Sequence, residues 1–199
     1  YAGKNELVGK NRIAAYCCPS DPQDEPITIG TSVNGTRYFP DGVIRWWKSN
    51  AAGVIDTVTA FGPGGNASNE RNTNGDGMLM VGKPIRVADV ADGTSNTLFV
   101  GEVTGGGPGS KTGLFWAELI LVSTYFGING PGSIPGDGVF VYGQGNCFSS
   151  YHPGGCHFLM VDGSTQYVSQ NIDHNLLVAL TTRDGAKYHS TGTPDQVLV

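Results

Sequence analysis

"SSYHPGGCHFLMVDGSTQYVS", residues 149–169, crowds two histidines, a cysteine, an Asp-Gly pair and a run of apolar residues into twenty-one positions. It reads either as a reactive or metal centre or as a hairpin. His157–Val161 and Thr165–Val168 flank Asp162-Gly163, and Asp-Gly between alternating apolar runs is the strongest short-range hairpin signal. Phe158 and Met160 fall on one face of the first strand and Leu159 and Val161 on the other, which predicts a strand buried on both sides. On the return, Thr165 and Tyr167 alternate with Gln166 and Val168. His152 precedes Pro153-Gly154-Gly155, where it is expected to bond a neighbouring loop such as "DGTSNT" (92–97). The hairpin reading is favoured.

The rest of the chain agrees with a turn-rich β protein. Residues 1–26 read as loop, because the prolines of "CCPSDPQDEP" (17–26) interrupt any regular element. Short β-prone runs alternate with "NGT" (34–36) and "DG" (41–42) between Ile27 and Trp47. "GVIDTVTAF" (53–61) alternates as a strand, and "GPGGNASNERNTNGDG" (62–77) is a long polar loop. A single helical turn is expected within 83–91, then a strand over Thr97–Glu102. "LFWAELILVSTYFGI" (114–128) is the most apolar run, and its β-branched and aromatic content favours a buried strand. Near the end, Asp173 is placed to cap a helix whose Leu176, Leu177 and Leu180 form one apolar stripe, stopped by Gly185. The predicted class is α+β: one domain over residues 1–199, mostly antiparallel sheet with one or two short helices.

Composition narrows the partners. The 199 residues hold 31 glycines, and charged residues make up 15%, well under the roughly 25% of ordinary soluble domains. The net charge is −5 and the 12 Lys and Arg are scattered, so no basic face exists for nucleic acid. No stretch approaches the roughly 20 apolar residues of a membrane span. There is no signal-peptide pattern, and Tyr1 in place of Met leads us to expect a processed or truncated chain.

Several chemistries deserve weighing. "GPGSKTG" (107–113) has Ser110 where a phosphate loop needs glycine, and "GGGPGS" (105–110) lacks a dinucleotide-binding context. No G-x-S-x-G elbow is present, and Ser150, His152 and Asp162 form a catalytic triad only if the fold gathers them. Cys147, His152, Cys156 and His157 offer zinc ligands, but at no common spacing, and Cys156 and His157 would face opposite sides of a strand. A Cys147–Cys156 disulfide closing a short loop in an oxidising compartment is preferred. Asn72, Asn74 and Asp76, followed by Gly77, imitate the first half of a calcium loop. Lys83 stands where the bidentate glutamate belongs, so calcium is a candidate cofactor and an Asn-Gly turn loop the simpler reading. No other cofactor is expected.

Four segments, "CCPSDP" (17–22), "VADVADGTSNTLFVGE" (87–102), "YHPGGCHFLMVDGS" (151–164) and "NIDHNLLVALTTRDGA" (171–186), occur in an order and spacing that resembles the planctomycete pseudopilin-like family. That family has a prepilin-type N-terminus and a His-x9-Asp-Gly processing-associated motif. The matching residues here are His152, Asp162 and Gly163, with Asp92, Gly93, Thr94, Ser95 and Asn96 in the "DGTSNT" box and Glu102 closing "VGE". The prepilin leader and long apolar helix of the family do not appear, and Cys147 and Cys156 lie outside its motif. The resemblance implies a pseudopilin-like globular head, structural rather than enzymatic, extracellular or on the cell surface, assembling as a homo-oligomer or filament. The rival is an extracellular module for glycans or small solutes, with Trp46, Trp47, Trp116 and Tyr38 stacking on sugars. Trp46 and Trp47 are adjacent and face opposite sides of a strand, so one of them is an interface candidate.

Overall fold

The computed structural model describes residues 8–22, 25–30, 32–33, 36–37, 43–55, 76–80, 84–104, 121–124, 127–129 and 147–185. Two small antiparallel pairs come first. β1 (Ile27–Gly30) pairs with β4 (Val43–Trp46), and β2 (Ser32–Val33) pairs with β3 (Thr36–Arg37). The main sheet has the order β7-β5-β6-β8-β9, built from β5 (Ala51–Val54), β6 (Leu98–Glu102), β7 (Leu121–Val122), β8 (Gly155–Met160) and β9 (Thr165–Ser169). Four of these run antiparallel to their neighbours, and β7 joins β5 in parallel at the edge. An α-helix, α1 (His174–Thr181), follows the sheet, and 3-10 turns occupy Ala14–Tyr16 and Val87–Asp89. The fold is therefore α+β and mostly antiparallel β, as the sequence predicts.

The core lies on one face of this sheet. Ala52, Val54, Leu98, Val122, Phe148, Cys156, Phe158, Met160, Val168 and Leu177 form one buried apolar cluster. Phe148 and Phe158 meet edge to face at 4.9 Å between ring centroids, the arrangement that aromatic quadrupoles favour. Gly101 lies opposite Phe158 in the β6–β8 register. A Cβ there would fall 2.4 Å from the Phe158 ring and 2.5 Å from Phe148, so only glycine lets β6 pass beneath the aromatic pair.

Three local expectations change. β8 is buried on one face, not two: Cys156, Phe158 and Met160 point inward, while His157 is exposed and Leu159 half-buried. The strand expected over 53–61 begins earlier, at Ala51, and its described part ends at Val54; residues 56–61 lie outside the described residues. In α1, Asp173 caps as predicted, its Oδ1 accepting the N–H groups of Asn175 and Leu176 at 2.9 and 3.2 Å. The apolar stripe is narrower than expected, because Leu177 is buried and Leu180 packs on the core, but Leu176 is exposed.

The β8–β9 connection is a three-residue loop, wider than a two-residue Asp-Gly turn. Met160 N–H bonds the Ser164 carbonyl at 2.8 Å and Gly163 N–H bonds the Met160 carbonyl at 3.0 Å. Gly163 takes φ +87°, the left-handed residue that such loops require. Asp162 Oδ1 accepts from the backbone N–H and hydroxyl of Ser164 at 2.8 and 2.7 Å. Those two bonds favour the carboxylate and hold its pKa below the ordinary value.

Candidate functional site

The two ends of β8 are braced by different partners. At the hairpin end the "DGTSNT" box does the bracing. Asp162 N–H donates to the Thr94 carbonyl and Val161 N–H to the Thr97 carbonyl, both at 3.0 Å. Gly93 adopts φ +95°, and its carbonyl accepts from Asn96 N–H and from the Thr97 hydroxyl. Asp92 Oδ2 accepts the Thr182 hydroxyl at 2.9 Å and Gly185 N–H at 2.8 Å, tying the segment after α1 to the box. Ser95 is exposed. This end is a clasp, in which the Asp and Gly of the His-x9-Asp-Gly pattern serve as a turn held from outside.

The other end gathers polar side chains. Glu102 ends β6 beside the start of β8, and its Oε2 accepts His157 N–H at 2.7 Å and lies 3.3 Å from His157 Nδ1. Its second oxygen, Oε1, lies 3.2 Å from His152 Nε2. The same His152 nitrogen lies 3.6 Å from Cys18 Sγ. His152 and His157 stack edge to face at 5.0 Å, and His157 meets Tyr167 in the same way at 5.0 Å. Among the described residues, the ligand-bearing atoms of Cys18, Glu102 and His152 all lie within 4.8 Å of one another.

Each member is held by its own element. Cys18 N–H donates to Asn50 Oδ1 at 2.8 Å, while Asn50 Nδ2 donates to Asp21 Oδ2 at 2.6 Å and to the Val103 carbonyl at 2.9 Å. Asn50 thus fastens the Cys-Pro box to the sheet, with Val103 N–H returning to the Asn50 carbonyl at 3.0 Å. The His152 loop is shaped by Ser150, whose hydroxyl donates to the Gly155 carbonyl at 2.7 Å and accepts His152 N–H at 3.0 Å. The Tyr167 hydroxyl donates to the Pro153 carbonyl, and Gly154 turns the chain at φ +86°.

Beneath this cluster is a buried ion pair. Lys48 Nζ lies 2.9 Å from Asp21 Oδ2, both side chains 1% exposed. Burial, with Asp21 nearby, raises the Tyr151 phenol above its ordinary pKa.

The structure redistributes the residues that sequence reasoning singled out. His152 faces Glu102 and Cys18, at the opposite end of β8 from the "DGTSNT" turn it was expected to bond. Ser150, His152 and Asp162 form no triad, since β8 separates Asp162 from the other two by about 20 Å of strand. Cys147 and Cys156 are both buried and not joined to each other, so the expected disulfide is not formed. Burial, the main cause, pushes the Cys156 thiol up to about 12, which leaves almost no thiolate for exchange. The zinc set Cys147, His152, Cys156 and His157 is divided, because Cys156 points into the core and His157 to solvent. Asp76 is buried, and its carbonyl accepts Arg183 N–H at 3.0 Å; Asn72 and Asn74 lie outside the described residues. Trp47 is half-buried, its N–H bonded to the Gly9 carbonyl at 2.8 Å and its ring facing the Arg12 guanidinium at 5.5 Å. Trp46 ends β4 opposite Ile27. Trp116 and Tyr38 lie outside the described residues. Asn50, Lys48 and Cys18 carried no spacing signal, because their partners are distant in the chain.

Fold and site together define a mostly antiparallel α+β domain whose sequence boxes brace one another. The family described as Protein of unknown function (DUF1559), with the sequence model SBP_bac_10, matches residues 1–175. The chain belongs to that family. No curated protein and no solved structure shows significant similarity to it. No helix among the described residues is long and apolar enough to cross a membrane.

Proposed function

We propose that this chain is a structural subunit of pilin or pseudopilin-like character, secreted or displayed at the cell surface, which self-associates into a filament or surface assembly and performs no reaction of its own. The observation that carries this reading is how the motif residues are used. Asp92, Gly93, Asp162 and Gly163 are committed to turns and to backbone bonds between β8, the "DGTSNT" box and the end of α1. Residues recurring in a family for such purposes maintain a scaffold, whereas a reaction site needs groups left free to meet a substrate. The low surface charge supports the same reading, since little electrostatic repulsion keeps copies apart. Tyr16, Val87, Tyr167 and Leu176 are large, exposed and apolar, and give a second copy something to cover.

The glycan-binding alternative gains nothing from Trp47, whose ring is already faced by Arg12. Immunogold electron microscopy of intact cells, using antibody raised against this domain, tests the proposal. Gold along filaments or a surface layer is the expected result. Gold confined to the cell interior, or native material that stays monomeric on light scattering at every concentration, would overturn it.

A further inference from the structure

His152 Nε2 faces two groups at once, the Glu102 carboxylate at 3.2 Å and the Cys18 sulfur at 3.6 Å. One imidazole nitrogen carries either one proton or one lone pair, directed along one line in the ring plane. As N–H it serves two acceptors with one hydrogen; as a bare nitrogen it sets a lone pair against a carboxylate oxygen. A single cation between the three atoms satisfies them all.

The spacing suits such an ion. Zinc bonds His nitrogen at about 2.0–2.1 Å, carboxylate oxygen at about 2.0–2.2 Å and thiolate sulfur at about 2.3 Å, in a tetrahedron. Tetrahedral angles then place nitrogen and oxygen about 3.3 Å apart and nitrogen and sulfur about 3.5 Å apart. The observed 3.2 and 3.6 Å match these values, and Cys18 Sγ and the Glu102 carboxylate close the triangle within 4.8 Å.

The supports are those of a built site. Glu102 Oε2 is taken by the His157 backbone N–H at 2.7 Å, which turns Oε1 toward the centre and leaves it as a one-oxygen ligand. His157 thereby orients the carboxylate without being a ligand, the role that outer partners play around metals. The Cys18 backbone is fixed by Asn50, and the His152 backbone by Ser150. His152 and Glu102 side chains are 28% and 20% exposed, so an ion can enter and a water or a fourth group can complete the shell.

We infer that Cys18, Glu102 and His152 form a binding site for a zinc-class divalent transition ion. The ion joins the Cys-Pro box to β6 and to the His152 loop, three segments separated by 84 and 50 residues along the chain. Nitrogen, oxygen and sulfur donors together suit zinc and cobalt(II), and disfavour calcium and magnesium, which take oxygen. The site does not depend on the filament reading, and either can fail alone.

Cobalt(II) and zinc chloride titrations of the reduced, metal-stripped protein test it. Cobalt is expected to bind one per chain, with tetrahedral ligand-field bands and a thiolate-to-cobalt charge-transfer band that zinc abolishes. Cys18→Ser should remove the charge-transfer band, and His152→Ala should weaken zinc binding at least tenfold. His157→Ala keeps the backbone N–H bond to Glu102 and removes only the ring contact at 3.3 Å, so it should weaken zinc binding far less than His152→Ala does and keep the charge-transfer band. Cys147→Ser, if folded by circular dichroism, should bind as the parent does. Cobalt spectra without a thiolate band, or folded Cys18→Ser and His152→Ala variants that bind zinc like the parent, would overturn the assignment.

Discussion

Lys48 and Asp21 show how much a single buried pair can impose. Taking two charges out of water costs several kcal/mol each, and the pair repays this only while both members stay. The Asp21 carboxylate also holds Asn50, which holds Cys18, so the pair supports the cluster above it. Asp21→Ala leaves the Lys48 ammonium buried and alone, and urea denaturation should show a loss of about 3–5 kcal/mol. Adding Lys48→Met to that variant removes the stranded charge and should restore a good part of the loss. If the double variant is no more stable than Asp21→Ala, the cost lies in the Asn50 bond and not in the uncompensated charge.

At the scale of the element, two glycines of the hairpin are needed for different reasons. Gly163 occupies φ +87° with open space where a Cβ would go. Gly163→Ala therefore meets only backbone strain, about 1–2 kcal/mol for an L-residue in the left-handed region. Gly155 sits at the head of β8, where a Cβ would lie 2.2 Å from the Val168 carbonyl oxygen of the paired strand. Backbone in a ladder cannot step aside as a side chain can, so Gly155→Ala should cost more, about 3 kcal/mol. Unfolding of the two variants side by side checks the order; equal losses would mean that β9 yields at Val168. In the sequence Gly155 belongs to the Pro153-Gly154-Gly155 stretch after His152, and Gly163 to the Asp-Gly turn of the hairpin. Asp162-Gly163 was legible because turn chemistry is local, whereas the need for glycine at 155 comes from the strand opposite.

For the molecule as a whole, the core sets an alkaline limit. Cys156 keeps its proton in the folded state until about 12, while an unfolded thiol ionises near about 8.5. A folded pKa above the unfolded one means that this contribution is complete below about pH 8.5 and is lost as pH rises towards about 12. The Tyr151 phenol, also raised by burial, acts with the same sign. The urea midpoint in reductant should fall through this range, and Cys156→Ala should flatten the fall. A thiol reagent should modify Cys17 and Cys18, which are half-buried, well before Cys147 and Cys156. Early modification of Cys156 in the folded protein would contradict its place in the core.

The sequence by itself determined the local elements: the β8–β9 hairpin, the strand ending at Glu102, the Asp173 cap and the order of the family boxes. Each of these follows from residues within a few positions of one another, where turn preference, capping and alternation act directly. Only the tertiary structure decided that Cys18, Glu102 and His152 meet, that Lys48 is buried against Asp21, and that His152 and Asp162 sit at opposite ends of one strand. Those outcomes depend on strand order and register, and on which face of β8 turns to the core. Apolar residues on both faces of β8 left that choice open in the sequence. Burial of Cys156, Phe158 and Met160 against β6 and Phe148 settled it, and turned His157 outward to hold Glu102.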